Sequence, residues 1–245
     1  MPAALRSYGL LLRWNVVQMR TALPMLVFLQ TLIGVGIVVG FSYLVPQNDA
    51  ETALYLSTGA LTIGLITVGI VAVPQVVANQ KFAGALEHHR TLPVPRLAML
   101  AADATVWVAL ALPGLAAALG VAALRFDLAF RLSPLLPVSV LLVATCAVAI
   151  GYGMAYAARP EVALALSQLI LFVTLMFAPI NYPADRLPDW LAATHEWLPF
   201  TYMAQAIRET VNVPSAGVTP LPFAILALWS VVGLVVTYRV MVRRA

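Results

Sequence analysis

The polar positions of this chain are bunched together, and the stretches between them are long, apolar and free of charge. Six windows contain no Asp, Glu, Lys or Arg: 21–48, 52–80, 104–124, 132–158, 162–184 and 210–238. About 20 apolar residues in an α-helix cross the hydrocarbon core of a bilayer, so every window is long enough to span once. The pattern predicts an all-α membrane protein, a single transmembrane domain over 1–245. Its six transmembrane helices are expected at about 22–45, 53–78, 98–124, 132–157, 161–182 and 219–240.

Composition agrees and narrows the class. Apolar residues make up 62% of the 245 and charged ones 10%, where a soluble domain carries about 25% charged residues. A soluble enzyme is excluded. The net charge of +4 does not point to nucleic acid, because no basic run or aromatic-interleaved basic patch exists. Cys146 is the single cysteine, which rules out an intrachain disulfide and reads as a small buried apolar side chain. No cleavable signal peptide is expected, since the first apolar window is too long for one and lacks an A-x-A site.

Charge placement gives the topology. Segments 1–20, 79–96, 158–161 and 239–245 fall on one side and hold ten of the fourteen basic residues. The other side holds Arg125, Arg131, Arg186 and Arg208. Cytoplasmic loops carry the Lys/Arg excess, so both termini are expected in the cytoplasm and the protein in the cell's inner (cytoplasmic) membrane. Arg6, Arg13 and Arg20 recur every seven residues and share one helical face. Residues 4–20 therefore read as an amphipathic interfacial helix resting on membrane lipids.

Inside the spans, Gly36 and Gly40, the series Gly59, Gly64 and Gly69, and Ala116 to Ala118 predict close helix packing. Pro74 and Pro113 predict kinks in the second and third spans.

Two segments are patterned without being spans. The loop from Asn79 to Asp103 predicts a short helix at 80–91, followed by an extended stretch forced by Pro93 and Pro95. The segment from Tyr182 to Val213 predicts two short helical pieces, Pro188–Trp197 and Thr201–Val211, at the opposite membrane face. The sequence Gly84-Ala85-Leu86-Glu87, with Pro93-Val94-Pro95-Arg96 beyond it, resembles the coupling-helix signature of type 2 ATP-binding-cassette export permeases. The run from Leu187 through Trp190, Pro199 and Tyr202 to Arg208 is similar to that family's outer broken-helix segment, 186–211, before the last span.

The resemblance implies a function. Gly84, Ala85, Leu86, Glu87, His88 and Arg90 would form the coupling helix that contacts an ABC ATPase subunit. Trp190, Pro199, Tyr202 and Arg208 would belong to the outer segment. The complex would contain two ATPase copies and a second copy of this permease or a related permease chain. ATP and Mg would bind to the ATPase, and this chain would hold no cofactor of its own. Its sequence supports that division: the single lysine, Lys81, lacks the G-x-x-x-x-G-K-[ST] frame.

Other chemistry is weakly signalled. His88-His89 and His195-Glu196 lack the i, i+4 spacing of a helical metal pair and lie on opposite sides, so no metal site is expected. Asp103, near the start of the third span, reads as an interfacial partner of Arg96. Gln30, Gln75 and Gln168 are candidates for a substrate path, though interhelical hydrogen bonding is the commoner use of such groups. A largely apolar path suits an amphipathic or hydrophobic cargo, such as a drug or lipid-like molecule. An intramembrane lipid-processing enzyme and a secondary carrier are the alternatives; a companion ATPase would separate them from an exporter.

Overall fold

The computed structural model describes residues 2–43, 50–84, 96–127, 130–183, 187–214 and 217–243, and these are helical with no strand. Helix α1 (Pro2–Met19) is followed by α2 (Leu23–Ser42). Pro24 sits in the first turn of α2, where the missing N–H costs nothing. The second span consists of α3 (Ala50–Thr67), a π turn (Val68–Ala72) and α4 (Val73–Phe82). After these come α5 (Arg96–Phe126), α6 (Leu136–Ala157), α7 (Pro160–Phe177), α8 (Asp189–His195), α9 (Pro199–Val211) and α10 (Leu221–Arg243).

Six helical stretches are long and apolar enough to cross a membrane: Leu23–Ser42, Glu51–Phe82, Ala98–Phe126, Leu136–Ala157, Pro160–Phe177 and Leu221–Met241. The second and fourth of these form the centre of the bundle, while the first, fifth and sixth are mostly exposed. At its 18 residues, α7 rises about 27 Å. It stops at Phe177, short of the 182 that charge-free length suggests, and the chain turns back at Ala178, whose carbonyl accepts from the Ile180 N–H at 2.7 Å.

The two prolines behave differently. Pro74 offers no N–H to Ile70, and its ring would press on that carbonyl. The helix widens into the π turn just before it, with the Val73 N–H reaching back to the Val68 carbonyl. Helix α5, by contrast, runs unbroken through Pro113.

In a bilayer, lipid chains are as apolar as leucine, so helices associate through close contact rather than through escape from water. Glycines provide those contacts here. A Cβ at Gly69 would overlap the Ala147 backbone and side chain, and one at Gly151 would overlap the Gly69 carbonyl. Gly233 lies against Ala149, Gly59 against Ile180 and Asn181, and Gly34 against Gly114 and Ala118. The expectation for Gly36 and Gly40 does not hold within this chain. Both are exposed, and a Cβ at either would meet nothing within 4 Å. The α2 face that packs on α5 runs instead through Gln30, Gly34 and Val38.

The bundle has two ends. At the end carrying α1, the Lys81 ammonium donates to the carbonyls of Ala155 (2.5 Å) and Ala158 (3.0 Å), which close the C-terminus of α6. At the far end, the Ser133 N–H donates to the Thr210 carbonyl at 2.8 Å and the Val213 N–H to the Arg131 carbonyl at 3.1 Å. These two bonds tie α9 to the connection before α6.

Candidate functional site

A cavity of about 540 Å³ opens at the α1 end, bounded by α1, α2, α4, α5 and α6. That volume lies in the usual range for small-molecule sites, about 300–1,000 Å³. Its lining divides by chemistry. Asn15 and Gln18 of α1, Gln75, Asn79 and Gln80 of α4, and Asp103 of α5 give it a polar side. Met19, Leu26, Val76, Val106 and Trp107 supply the apolar side.

The folding of α1 against α5 creates this cavity. Asn15 donates to the Asp103 carboxylate, and the hydroxyls of Tyr8 and Thr105 are hydrogen-bonded at 2.9 Å. Tyr8, Leu12, Asn15 and Met19 follow one another at helical spacing, with Leu12 and Met19 packed on the core. The arginine stripe lies elsewhere, with Arg6, Arg13 and Arg20 all exposed. On the opposite wall, the buried Tyr152 hydroxyl sits against both the Asp103 carboxylate and the Trp107 indole. Asp103 therefore has two neutral partners; the side chain of Arg96, its expected partner, lies outside the described residues.

The three candidate path residues separate. Gln75 lines the cavity and is exposed to it. Gln30 is buried and donates to the Gly64 carbonyl at 2.7 Å, which is a packing role. Gln168 lies exposed on α7, away from the cavity. Asn15, Gln18, Asn79 and Gln80 were not singled out by sequence. The i, i+4 pair Gln75 and Asn79, placed at the foot of an apolar span, is the signal that marks them.

A second polar centre occupies the far end. Helix α8 ends at His195, and α9 begins at Pro199, two residues earlier than the Thr201 expected, because proline fits the first helical position. Arg208 of α9 is largely buried. Its Nη2 donates to the Ile180 carbonyl at 2.7 Å, its Nε to the Thr58 hydroxyl at 3.2 Å, and its guanidinium lies 3.5 Å from the centroid of the Tyr55 ring. Burial lowers its pKa to about 10, which leaves it charged at neutral pH. The Tyr202 hydroxyl donates to the Glu196 carbonyl at 2.8 Å, bracing the junction of α8 and α9, and Trp190 is exposed. His195 is buried with no hydrogen bond at Nδ1, and burial lowers its pKa.

A family model described as "ABC-2 type transporter" matches residues 8–212, more than four-fifths of the chain. The chain belongs to this family. It is a multi-pass membrane permease of an ABC transporter, and permeases of the ABC-2 family generally pair with an ABC ATPase subunit. None of the curated proteins matches it.

The match spans the permease from α1 through α9 and includes both polar centres. Of the coupling residues, Gly84 is described. Its φ of +68° places it in the left-handed region, and its N–H bonds to the Lys81 carbonyl at 3.2 Å, so it ends α4 as a glycine cap. Ala85, Leu86, Glu87, His88 and Arg90 lie outside the described residues. Lys81 and Phe82 belong to α4. Among the described residues, no group of three His, Cys, Asp or Glu is placed to hold a metal.

Proposed function

We propose that this permease is the translocating half of an ATP-driven exporter that moves an amphipathic or hydrophobic molecule out of the cytoplasm. The reading rests chiefly on one observation. The cavity is mostly apolar with a smaller polar side, and one of its walls is α4, the helix that leads directly through Gly84 into the coupling sequence. A movement of the segment that follows Gly84 would therefore be transmitted to Gln75, Asn79 and Gln80 through a single helix.

Both termini then lie in the cytoplasm, and the cavity faces that side. Two ATPase subunits bind ATP and Mg and close on each other. The coupling residues Gly84 to Arg90 carry the closure into α4, and ATP shifts the permease between two states because it stabilises one of them more than the other. The exposed faces of α2, α7 and α10 give room for a second permease chain, the same or related. The arginine stripe of α1 holds that helix at the lipid surface.

Affinity purification of the full chain from its own cells, in mild detergent, tests the assembly. An ATPase polypeptide in stoichiometric amount, with hydrolysis stimulated by an amphipathic compound, is the expected result. A folded permease that purifies without such a companion contradicts it.

A further inference from the structure

We infer that the cavity selects amphiphiles carrying a single positive charge, with Asp103 as the group that recognises the ammonium. This deepens the proposed function by naming the substrate class, and it can be measured without the ATPase.

Charge is the first observation. The protein is net basic, and the α1 end holds most of its cations. Yet Asp103 is the one charged side chain among the described residues that line the cavity. Arg6, Arg13 and Arg20 lie exposed on α1 and do not line it. Lys81, at the foot of the same α4, turns to the end of α6, where the Ala155 and Ala158 carbonyls take its ammonium. Among the described lining residues, an anionic head group would find a carboxylate and no cation. A cationic head would find its counter-charge.

The neighbours of the carboxylate suit that role. Asn15 donates to Asp103 and the Tyr152 hydroxyl lies beside it, while the carboxylate stays in the cavity wall. Trp107 and Tyr152 also line the cavity, and aromatic rings attract ammonium groups. The amides of Gln18, Gln75, Asn79 and Gln80 supply donors and acceptors around the head. Leu26, Val76 and Val106 offer a hydrocarbon surface to a tail. A phospholipid amine fits less well, because its phosphate would lie beside a carboxylate with no Lys or Arg among the described lining residues to offset it.

Binding is read on the full chain in phosphatidylcholine nanodiscs, using three probes with the same brominated tail: 11-bromoundecyl-trimethylammonium, 11-bromoundecanol and 11-bromoundecanoate. Bromine quenches tryptophan, and the saturable quenching removed by Trp107→Phe reports the cavity. The ammonium probe is expected to bind about tenfold more tightly than the alcohol, with the carboxylate weakest. Asp103→Asn, which still accepts from Asn15, should bring ammonium and alcohol level. Tyr8→Phe, which removes another hydrogen bond joining α1 to α5, should leave the preference intact.

Equal binding of ammonium and alcohol by the native protein would overturn the inference. So would a preference that survives Asp103→Asn, or one lost equally in Tyr8→Phe. Full displacement of the ammonium probe by phosphatidylethanolamine added to the discs would assign the cavity to a zwitterionic lipid and also overturn it. An ammonium preference alongside absent ATP-driven transport would leave this inference standing and defeat the export reading; transport without the preference would do the reverse.

Discussion

The guanidinium of Arg208 lies 3.5 Å from the centre of the Tyr55 ring, and this stacking joins α9 to α3. The same group donates to the Ile180 carbonyl and the Thr58 hydroxyl, so one side chain fastens three parts of the far end together. Arg208→Ala would leave the Ile180 carbonyl and Thr58 without this donor and remove the stacking. We expect a loss of about 3 kcal/mol, from a charge-assisted hydrogen bond plus a desolvated cation–π contact. Arg208→Lys should lose roughly half as much, because an ammonium lacks the planar fork that serves both partners. Thermal unfolding in detergent measures both; unchanged midpoints would mean the centre is not structural.

Glycine substitutions should divide sharply. Gly151→Ala puts a methyl group into the Gly69 carbonyl, and the two nearest atoms it meets are Gly69 backbone in the packed second span. Overpacking of this kind costs about 1–3 kcal/mol, and Gly151→Ala should lie at the upper end. Gly36→Ala has open space around its new methyl and should leave the stability of the single chain unchanged. Yield and melting temperature of the two variants, purified side by side, check the contrast. If Gly36→Ala alters only the amount of a two-permease species, the exposed α2 face is where the second chain packs.

Acid should loosen the far end through His195. Burial holds its pKa below the ordinary 6.5, so the unfolded chain takes up the proton first. Stability from the neutral imidazole is fully present above about pH 6.5 and is lost as pH falls below it. The melting temperature of the native protein should drop between roughly pH 7 and pH 5. His195→Gln should flatten the part of that drop that comes from this residue. Identical profiles for the two proteins would remove His195 as the cause.

Much of this fold could be read from charge alone, because a bilayer leaves few choices. Charge-free runs of the right length must be helices, and each of the six windows overlaps one. What the sequence concealed is which face of each helix meets which neighbour. Gly36 and Gly40 carry the familiar small-residue spacing and face outward, while Gly34 makes the contact. Glycine spacing identifies a face that permits close approach, and only the placement of the neighbour shows whether it is used. The cavity was hidden for a related reason. Asn15 lies on a helix that looked purely interfacial, and Asp103 looked paired to the nearby Arg96. Their meeting depends on α1 folding along α5, a long-range contact that no local pattern announces.

The coupling role proposed for Glu87 bears on energy transfer rather than folding. A loop carboxylate contributes little to helix packing, so Glu87→Ala should insert and fold normally. Loss of the charge-assisted contact we propose it makes to the ATPase, worth about 2–5 kcal/mol if partly desolvated, should lower transport and cargo-stimulated ATP hydrolysis together. Normal stimulation at normal complex yield would reduce Glu87 to a solvated acid between Lys81 and Arg90.

The measurement closest to the central claim is uptake into inside-out membrane vesicles that contain the permease and its companion ATPase. A fluorescent cationic amphiphile is supplied outside, with ATP or with a non-hydrolysable analogue. Accumulation inside the vesicles is expected with ATP and not with the analogue, abolished when the permease is omitted and strongly reduced by Glu87→Ala. Accumulation that proceeds equally without hydrolysable ATP, or that is indifferent to the permease, would contradict it.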